Sequence, residues 1–553
     1  MSRFFQDPPQ LQNAITETPL FTQWLSWASK GELKADELGF KEFGDRVINV
    51  YHPLSLMAEN NHPEHIPYEP WGRRIDEIKV HPAWDQMHGM VAEDGIVAAG
   101  YERKYEEFSR VYQMIRLAVL HPSSAFVTCP LAMTDGSARV LEIFAPDYVD
   151  QKIFKALISR DPKTFYTAGQ WMTERTGGSD VSTLETIAQH IDGKEYGLFG
   201  TKWFTSAVTG QVTMALARVM EGDVDKGISL FCMKIRDEQG SLNHIHVNRL
   251  KDKLGTKALP TAELNLEGSR AHLIGEIGHG VKSISSVLNI TRIYNSACSV
   301  GTLQRAVSLA RDYAKKRRAF GKEIRDHGLH IKQLSRIQVV LEAQIHLLLK
   351  TAHLLGLEET GKATEQDLYM LRLLTPILKL WTAKVAVQSA SEICESFGGA
   401  GYIEDTEIPR LLRDSQVFPI WEGTTNILSL DVLRVMKKEG GFEPLISYVR
   451  SHCENMDSKS KEQILDRLTA VMKYVEKALS ESPESLQTGA RELAFSLGQI
   501  VAACSMGCFV KSDFGRSERN QIVLKQFLEM IPREFELDTR DRIQENAKVF
   551  FEV

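Results

Sequence analysis

Two segments in the middle of the chain combine residues suited to holding a charged, aromatic small molecule. The first, Met172-Thr173-Glu174-Arg175-Thr176-Gly177-Gly178-Ser179-Asp180, runs from a strand into a Gly-Gly-Ser turn. Such glycines let backbone amides approach an anion closely, and Ser179 adds a hydroxyl donor, which is what a pyrophosphate or the edge of a flavin requires. The second, Gly200-Thr201-Lys202-Trp203-Phe204-Thr205, reads as a strand in which Trp203 and Thr205, two residues apart, share a face. An indole there can cover one face of an isoalloxazine ring while the hydroxyl donates to its N5. Further along, Arg317-Arg318-Ala319-Phe320-Gly321-Lys322 offers a guanidinium suited to phosphate and an aromatic face. Gly398 and Gly399, in Glu395-Ser396-Phe397-Gly398-Gly399-Ala400-Gly401-Tyr402, permit close backbone approach to a nucleotide. Taken singly, each segment also has a plainer reading: a loop, a core tryptophan, a solvated helix end, a helix stop.

The elements that must position these residues follow from length and patterning. A chain of 553 residues calls for several units and can bury a large interior, and 43% hydrophobic with 25% charged residues is the composition of an ordinary globular protein. Residues 1–80, punctuated by His62-Pro63, Pro67 and Pro70, read as an irregular arm that packs on other surfaces. Residues 81–165 turn helical, with Tyr105, Phe108, Val111, Tyr112, Ile115 and Val119 at three- and four-residue spacing. Residues 166–282 form a β domain, signalled by short β-branched and aromatic runs between turn residues such as Gly200, Gly210 and Gly240, and by Asp192-Gly193 as a hairpin turn. Residues 283–438 suit a helix bundle, with helices expected over Ile331–Leu357 and Ala383–Phe397, and residues 439–553 form a helical extension.

Several classes are disfavoured. The seven cysteines are scattered without a CxxC pair, against a disulfide framework or structural zinc site, and no metal site is expected. Met1 to Gln10 lacks a basic segment followed by an apolar core, so a cytoplasmic location is expected, with import into an organelle left open. The uncharged Leu493 to Val510 reads as a buried helix rather than a membrane span. A formal charge of -6 gives the whole molecule no strong attraction for polyanions, and from residue 440 onward 15 Lys and Arg stand against 18 Asp and Glu. DNA binding is therefore not favoured, although Lys511, Arg516, Arg519 and Lys525 form a local basic stripe.

Over about residues 80 to 437 these segments, together with Leu254-Gly255, Leu273 to Gly280, Arg413-Asp414 and Ile420-Trp421-Glu422-Gly423-Thr424-Thr425-Asn426, resemble the acyl-CoA dehydrogenases. Gly72-Arg73-Arg74-Ile75-Asp76-Glu77, His81-Pro82-Ala83-Trp84 and the C-terminal extension resemble that family's AidB-type, adaptive-response branch. The resemblance implies a mainly α fold with a central β domain: an N-terminal helical domain, a small β-barrel domain and a C-terminal four-helix bundle, plus the extra helical domain. It implies FAD, held by Met172, Thr173, Gly178, Ser179, Trp203, Phe204, Thr205, Arg317, Phe320, Gly398, Gly399, Thr424 and Asn426. It places Glu422 at the family's proton-abstracting base, and Ser179, Thr291 and Arg292 by the acyl pocket, with Arg292 able to orient Glu422; by itself Arg292 is as well read as a salt-bridge partner. Thr291 stands where some branches carry their base, and threonine cannot serve as one. The implied partners are an acyl-CoA or fatty acyl ligand, an external electron acceptor and copies of the chain in a homotetramer. The rival functions are an acyl-sequestering or DNA-binding flavoprotein and an oxidase. Arg175, Glu395 and Asn289 depart from the family's usual proline, glutamine and acid, which puts charge at the mouth of the site and weakens the case for tight CoA binding.

Overall fold

The β-branched and aromatic runs between Ala168 and Ile274 become a single seven-stranded sheet. Its strands are β3 (Ala168–Trp171), β4 (Ile187–Asp192), β5 (Glu195–Ser206), β6 (Val212–Glu221), β7 (Val224–Lys234), β8 (Ile245–Leu250) and β9 (Thr261–Ile274), following a separate hairpin of β1 (Glu64–Tyr68) and β2 (Arg74–Lys79). The computed structural model describes residues 6–145, 151–438, 440–454, 456–534 and 540–551, so the expected boundary at Glu439 lies outside the described residues. The fold is mainly helical, with this mixed sheet formed by the middle of the sequence, the fold class that the sequence and its family resemblance imply. Two compact units result, Asp45–Lys104 with Val119–Cys298, and Met1–Gly44 with Tyr105–Ala118 and Ser299–Val553.

In the first unit the sheet path β6, β4, β5, β9, β7 returns to β6, closing like a barrel, with β3 and β8 outside the ring. Trp171, Leu198, Phe231, Met233 and Leu264 fill it, each large apolar side chain contributing roughly 1.5 to 3 kcal/mol on burial. The Asp192-Gly193 hairpin forms as expected, with Asp192 opposite Glu195. Gly200 is not a turn: it lies within β5, where a Cβ would come 2.4 Å from Thr186 Oγ1. Close approach of Thr186, just ahead of β4, and not chain reversal requires the glycine.

The arm is also more ordered than its prolines suggest. It carries helices at Leu20–Ala28, Phe40–Arg46 and His52–Glu59, and Pro53 sits in the first turn of the last of these, where its missing N–H costs nothing. The β1–β2 hairpin is pinned to the sheet by buried Asp76, which accepts from Arg74 Nε (2.7 Å) and Val247 N (3.1 Å).

In the second unit the helices Gly328–Glu359, Glu365–Ser396 and Thr425–Lys438 pack together, Glu365–Ser396 lying against both of the others. The Glu365–Ser396 helix starts well before Ala383 because Thr364 and Asp367 form a capping box ahead of it, and Pro376 is accommodated inside. Arg110 donates twice to Glu359 at 2.7 Å, and both side chains are buried. The extension shares this core. Its Ala490–Lys511 helix, long and apolar enough to cross a membrane, buries most of its side chains, with Gly498 against Ile377 and Ser505 Oγ 3.1 Å from His346 Nδ1.

Candidate active site

The sheet unit joins the Met172–Asp180 and Gly200–Thr205 segments. Trp203 N donates to Thr173 O (2.9 Å), and beneath this contact Lys202 Nζ donates to Glu174 Oε1 (2.7 Å) and to Leu216 O (2.8 Å). Glu174 also accepts from Glu185 N (2.6 Å), Thr186 N and the Thr186 hydroxyl. Burial pushes the Glu174 carboxyl up, but Lys202 and these donors outweigh it and hold the group below its ordinary range. The ion pair is thus a fixed anchor for the exposed loop that carries Gly177, Gly178 and Ser179. The loop closes back tightly, since a Cβ on Gly178 would meet Thr173 Oγ1 at 2.7 Å.

Trp203 and Thr205 do not share a face in the simple way alternation predicts. The β5–β9 register slips between Lys202 and Thr205, and Phe204 adopts φ 55°, so Phe204 turns outward at 60% exposure while Thr205 is buried. The Thr205 hydroxyl donates to Ala262 O (2.7 Å), not toward a ligand, and keeps only acceptor capacity. One side of the Trp203 indole carries Lys251, with Nζ 3.6 Å from the ring centroid. Met172 and Thr173 are half-buried beside the loop. Thr291 and Arg292 lie in the N-terminal half of the Gly280–Lys316 helix, Thr291 buried with its hydroxyl on Leu288 O (3.3 Å) and Arg292 half-buried.

The helical unit gathers the remaining candidates. Glu422 is half-buried and has φ 56°, followed by Gly423 at φ 98°. A non-glycine residue in this region is uncommon and is sustained only by its surroundings. Here the support is Lys379, fully buried in the Glu365–Ser396 helix, whose Nζ donates to Gly423 O (2.5 Å). Thr424 and Asn426 are exposed at the start of Thr425–Lys438. Arg317 is half-buried and donates to Gln6 Oε1 (3.1 Å), and Phe320, at φ 48°, projects with 96% exposure. Gly398 and Gly399 cap the Glu365–Ser396 helix, and a Cβ on either would meet open space.

Sequence reading passed over Lys202, Lys251 and Lys379 as functional supports. Lys202 and Lys379 had a legible signal, a lone lysine inside an otherwise apolar strand or helix run, which must find a partner when buried. The basic stripe is partly consumed: Arg519 is bound to Glu342 and Arg516 lies 3.5 Å from Asp513. A cavity of about 590 Å³ in the helical unit includes none of the flavin or acyl candidates, and its charges are largely paired across Glu17, Arg311, Gln338, Glu342 and Arg519 of the basic stripe.

A β unit carrying an anion-suited loop and a half-covered tryptophan, in a chain whose helical bundle presents a strained glutamate, belongs with the flavin-dependent acyl-thioester enzymes, and the chain is a member of the acyl-CoA dehydrogenase family. Residues 278–437 match the acyl-CoA dehydrogenase C-terminal domain, residues 169–269 the acyl-CoA dehydrogenase middle domain, and residues 7–161 the adaptive response protein AidB N-terminal domain. The chain is 41% identical over 521 residues to acyl-CoA dehydrogenase family member 11 of Caenorhabditis elegans, covering 90% of this chain and 84% of that one. The crystal structure of Caenorhabditis elegans ACDH-11 in complex with C11-CoA superposes with a TM-score of 0.96 at 36% identity, covering 100% of this chain and 97% of that one. Identity to the putative acyl-CoA dehydrogenase AidB of Escherichia coli strain K12 is lower, 31% over 402 residues, covering 71% of this chain and 73% of that one. The AidB-like character expected of the whole chain is therefore shown for the N-terminal domain, while the higher overall identity lies with the nematode protein.

Proposed function

We propose that this protein is an FAD-dependent acyl-CoA dehydrogenase that introduces an α,β double bond into an acyl-CoA thioester, with Glu422 as the base. The observation that carries the reading is the Glu422–Gly423 turn: a carboxylate held at positive φ by a buried lysine, within the segment matching the family's C-terminal domain. The residues present fit FAD. The Gly177–Ser179 loop is exposed and anchored, Trp203 offers an aromatic surface, and the helical unit presents exposed Phe320, Thr424 and Asn426, open space at Gly398 and Gly399, and the Arg317 guanidinium, one of whose donors is on Gln6. When bound, FAD supplies the acceptor for the β hydride.

Glu422 removes the α proton. Its own backbone N–H, donating to the thioester carbonyl, stabilises the enolate-like charge and makes that proton acidic enough for a carboxylate to take. Ser179, Thr291 and Arg292 line the acyl side. By the same reading the protein works as a cytoplasmic homotetramer and passes electrons to an external carrier. Acyl-CoA is the ligand class supported by the C11-CoA complex of the nematode relative. Arg175, which puts charge at the mouth of the site where the family usually has proline, favours as a second reading a weakly or non-catalytic flavoprotein that sequesters acyl ligands or binds DNA, as in the AidB-type branch.

The test is anaerobic bleaching of the bound flavin by acyl-CoAs of graded chain length, in wild type and Glu422→Gln. Wild type should bleach with at least one chain length and the variant should not. Failure of every acyl-CoA to reduce wild-type flavin defeats the dehydrogenase reading, and tight acyl-CoA binding without bleaching supports sequestration.

A further inference from the structure

The Trp203 indole is sandwiched on one side by a cation. Lys251, just past the end of β8, places Nζ 3.6 Å from the Trp203 ring centroid and 4.6 Å from that of Phe204. It is held there by its backbone N–H on Thr261 O (2.8 Å) and by Glu263 Oε1 at 2.5 Å, and its side chain is only 11% exposed. Glu263 is shared: Arg249 Nε donates to the same oxygen at 2.8 Å. Two cations share one carboxylate: Lys251 and Glu263 form a largely buried pair behind the aromatic ring, and the second cation, Arg249, lies at the surface with its side chain 65% exposed.

We propose that Lys251 is a positioning residue that fixes the plane of Trp203 and, through its ammonium held against the indole, makes the flavin bound at Trp203 easier to reduce. This rests on the reading that Trp203 faces FAD. A cation at this distance binds a tryptophan face electrostatically, and more strongly once desolvated. The indole is thereby prevented from turning about its side-chain torsions, so a ring stacked on it has one defined orientation. The Lys251 ammonium, held against the ring and shielded from solvent, opposes the negative charge that two-electron reduction brings; Glu263 offsets it in part, and the exposed Arg249 charge is screened by solvent.

Lys251→Met removes the charge while keeping the length of the side chain, Lys251→Arg keeps the charge, and Glu263→Gln removes the only carboxylate of the cluster. The readouts are the midpoint potential and visible spectrum of the flavin in each purified holoprotein, and FAD affinity of the apoprotein. Lys251→Met should retain FAD but shift the oxidised-to-reduced ratio about tenfold toward oxidised at a fixed potential, about 30 mV lower for a two-electron couple, with a changed absorption envelope. Lys251→Arg should restore the wild-type potential, and Glu263→Gln should move it in the opposite direction. If Lys251→Met does not fold, the sign of the Glu263→Gln shift decides. Wild-type potentials and spectra in both Lys251→Met and Glu263→Gln overturn the proposal while leaving the flavin reading intact. A wild-type protein that binds no FAD defeats that reading instead.

Discussion

The Lys202–Glu174 pair is the most exacting test of how the sheet unit builds its half of the site. Both side chains are buried, at 0% and 3% exposure, so neither charge has water to fall back on. Removing one partner of such a pair costs about 3 to 5 kcal/mol, whereas replacing both by neutral groups of similar shape costs far less. The two singles should differ. In Lys202→Met, Glu174 still accepts from Glu185 N, Thr186 N and Thr186 Oγ1, which places this variant near the lower end. In Glu174→Gln the ammonium retains the Leu216 carbonyl and a neutral amide oxygen, which places it near the upper end. The double variant should be less perturbed than the sum of the singles, because no unpaired charge remains.

Since a chain with two compact units need not unfold in one step, global melting is a poor reporter. Native-state hydrogen exchange at the amides of Trp203 and Thr186, which the pair holds in place, reads the local opening directly. At 1.4 kcal/mol per decade, each single variant should lose roughly two to three and a half decades of protection at these amides. Protection within threefold of wild type in both singles, or a double variant that loses as much as the two together, refutes the argument that charge pairing organises the loop.

Lys379→Met should free the Gly423 carbonyl and relax the Glu422 turn, slowing flavin reduction by acyl-CoA at least tenfold, while Lys379→Arg recovers part of the rate; equal rates in all three proteins would show that the turn holds itself. Gly356→Ala drives a Cβ to within 1.9 Å of Glu107 O and should destabilise the helical unit by about 1 to 3 kcal/mol, seen as a lower midpoint in denaturant. Burial holds His346 down to about 3, and burial with Lys350 nearby holds His353 down to about 4. As pH falls below 6.5 the unfolded chain takes up these protons before the native one does, so stability is full above 6.5 and declines toward pH 3 to 4. Denaturant midpoints at pH 7 and pH 5 should show that loss, and His346→Leu should narrow it; an unchanged difference argues against His346 as a source.

What the sequence determined by itself is what short-range patterning can carry. The Asp192-Gly193 hairpin, the Gly-Gly-Ser loop, the Gly328–Glu359 helix and the buried Ala490–Lys511 helix are each encoded by residues a few positions apart. The segments around Glu422 and Trp203 were legible because their unusual residue combinations are contiguous. Tertiary structure decided the rest. The bulge at Phe204 turned Thr205 into the sheet, because pairing with β9, not alternation along β5, sets which way those side chains face. Lys202 meets Glu174 from 28 positions away and Lys379 meets Gly423 from 44, and no local spacing announces such encounters. Where the extra helical domain docks was also decided by tertiary structure, since the hydrophobic surface of Ala490–Lys511 is buried against Gly328–Glu359 and Glu365–Ser396. Burial is non-directional and depends only on which surfaces meet, whereas a sequence displays only which surfaces exist.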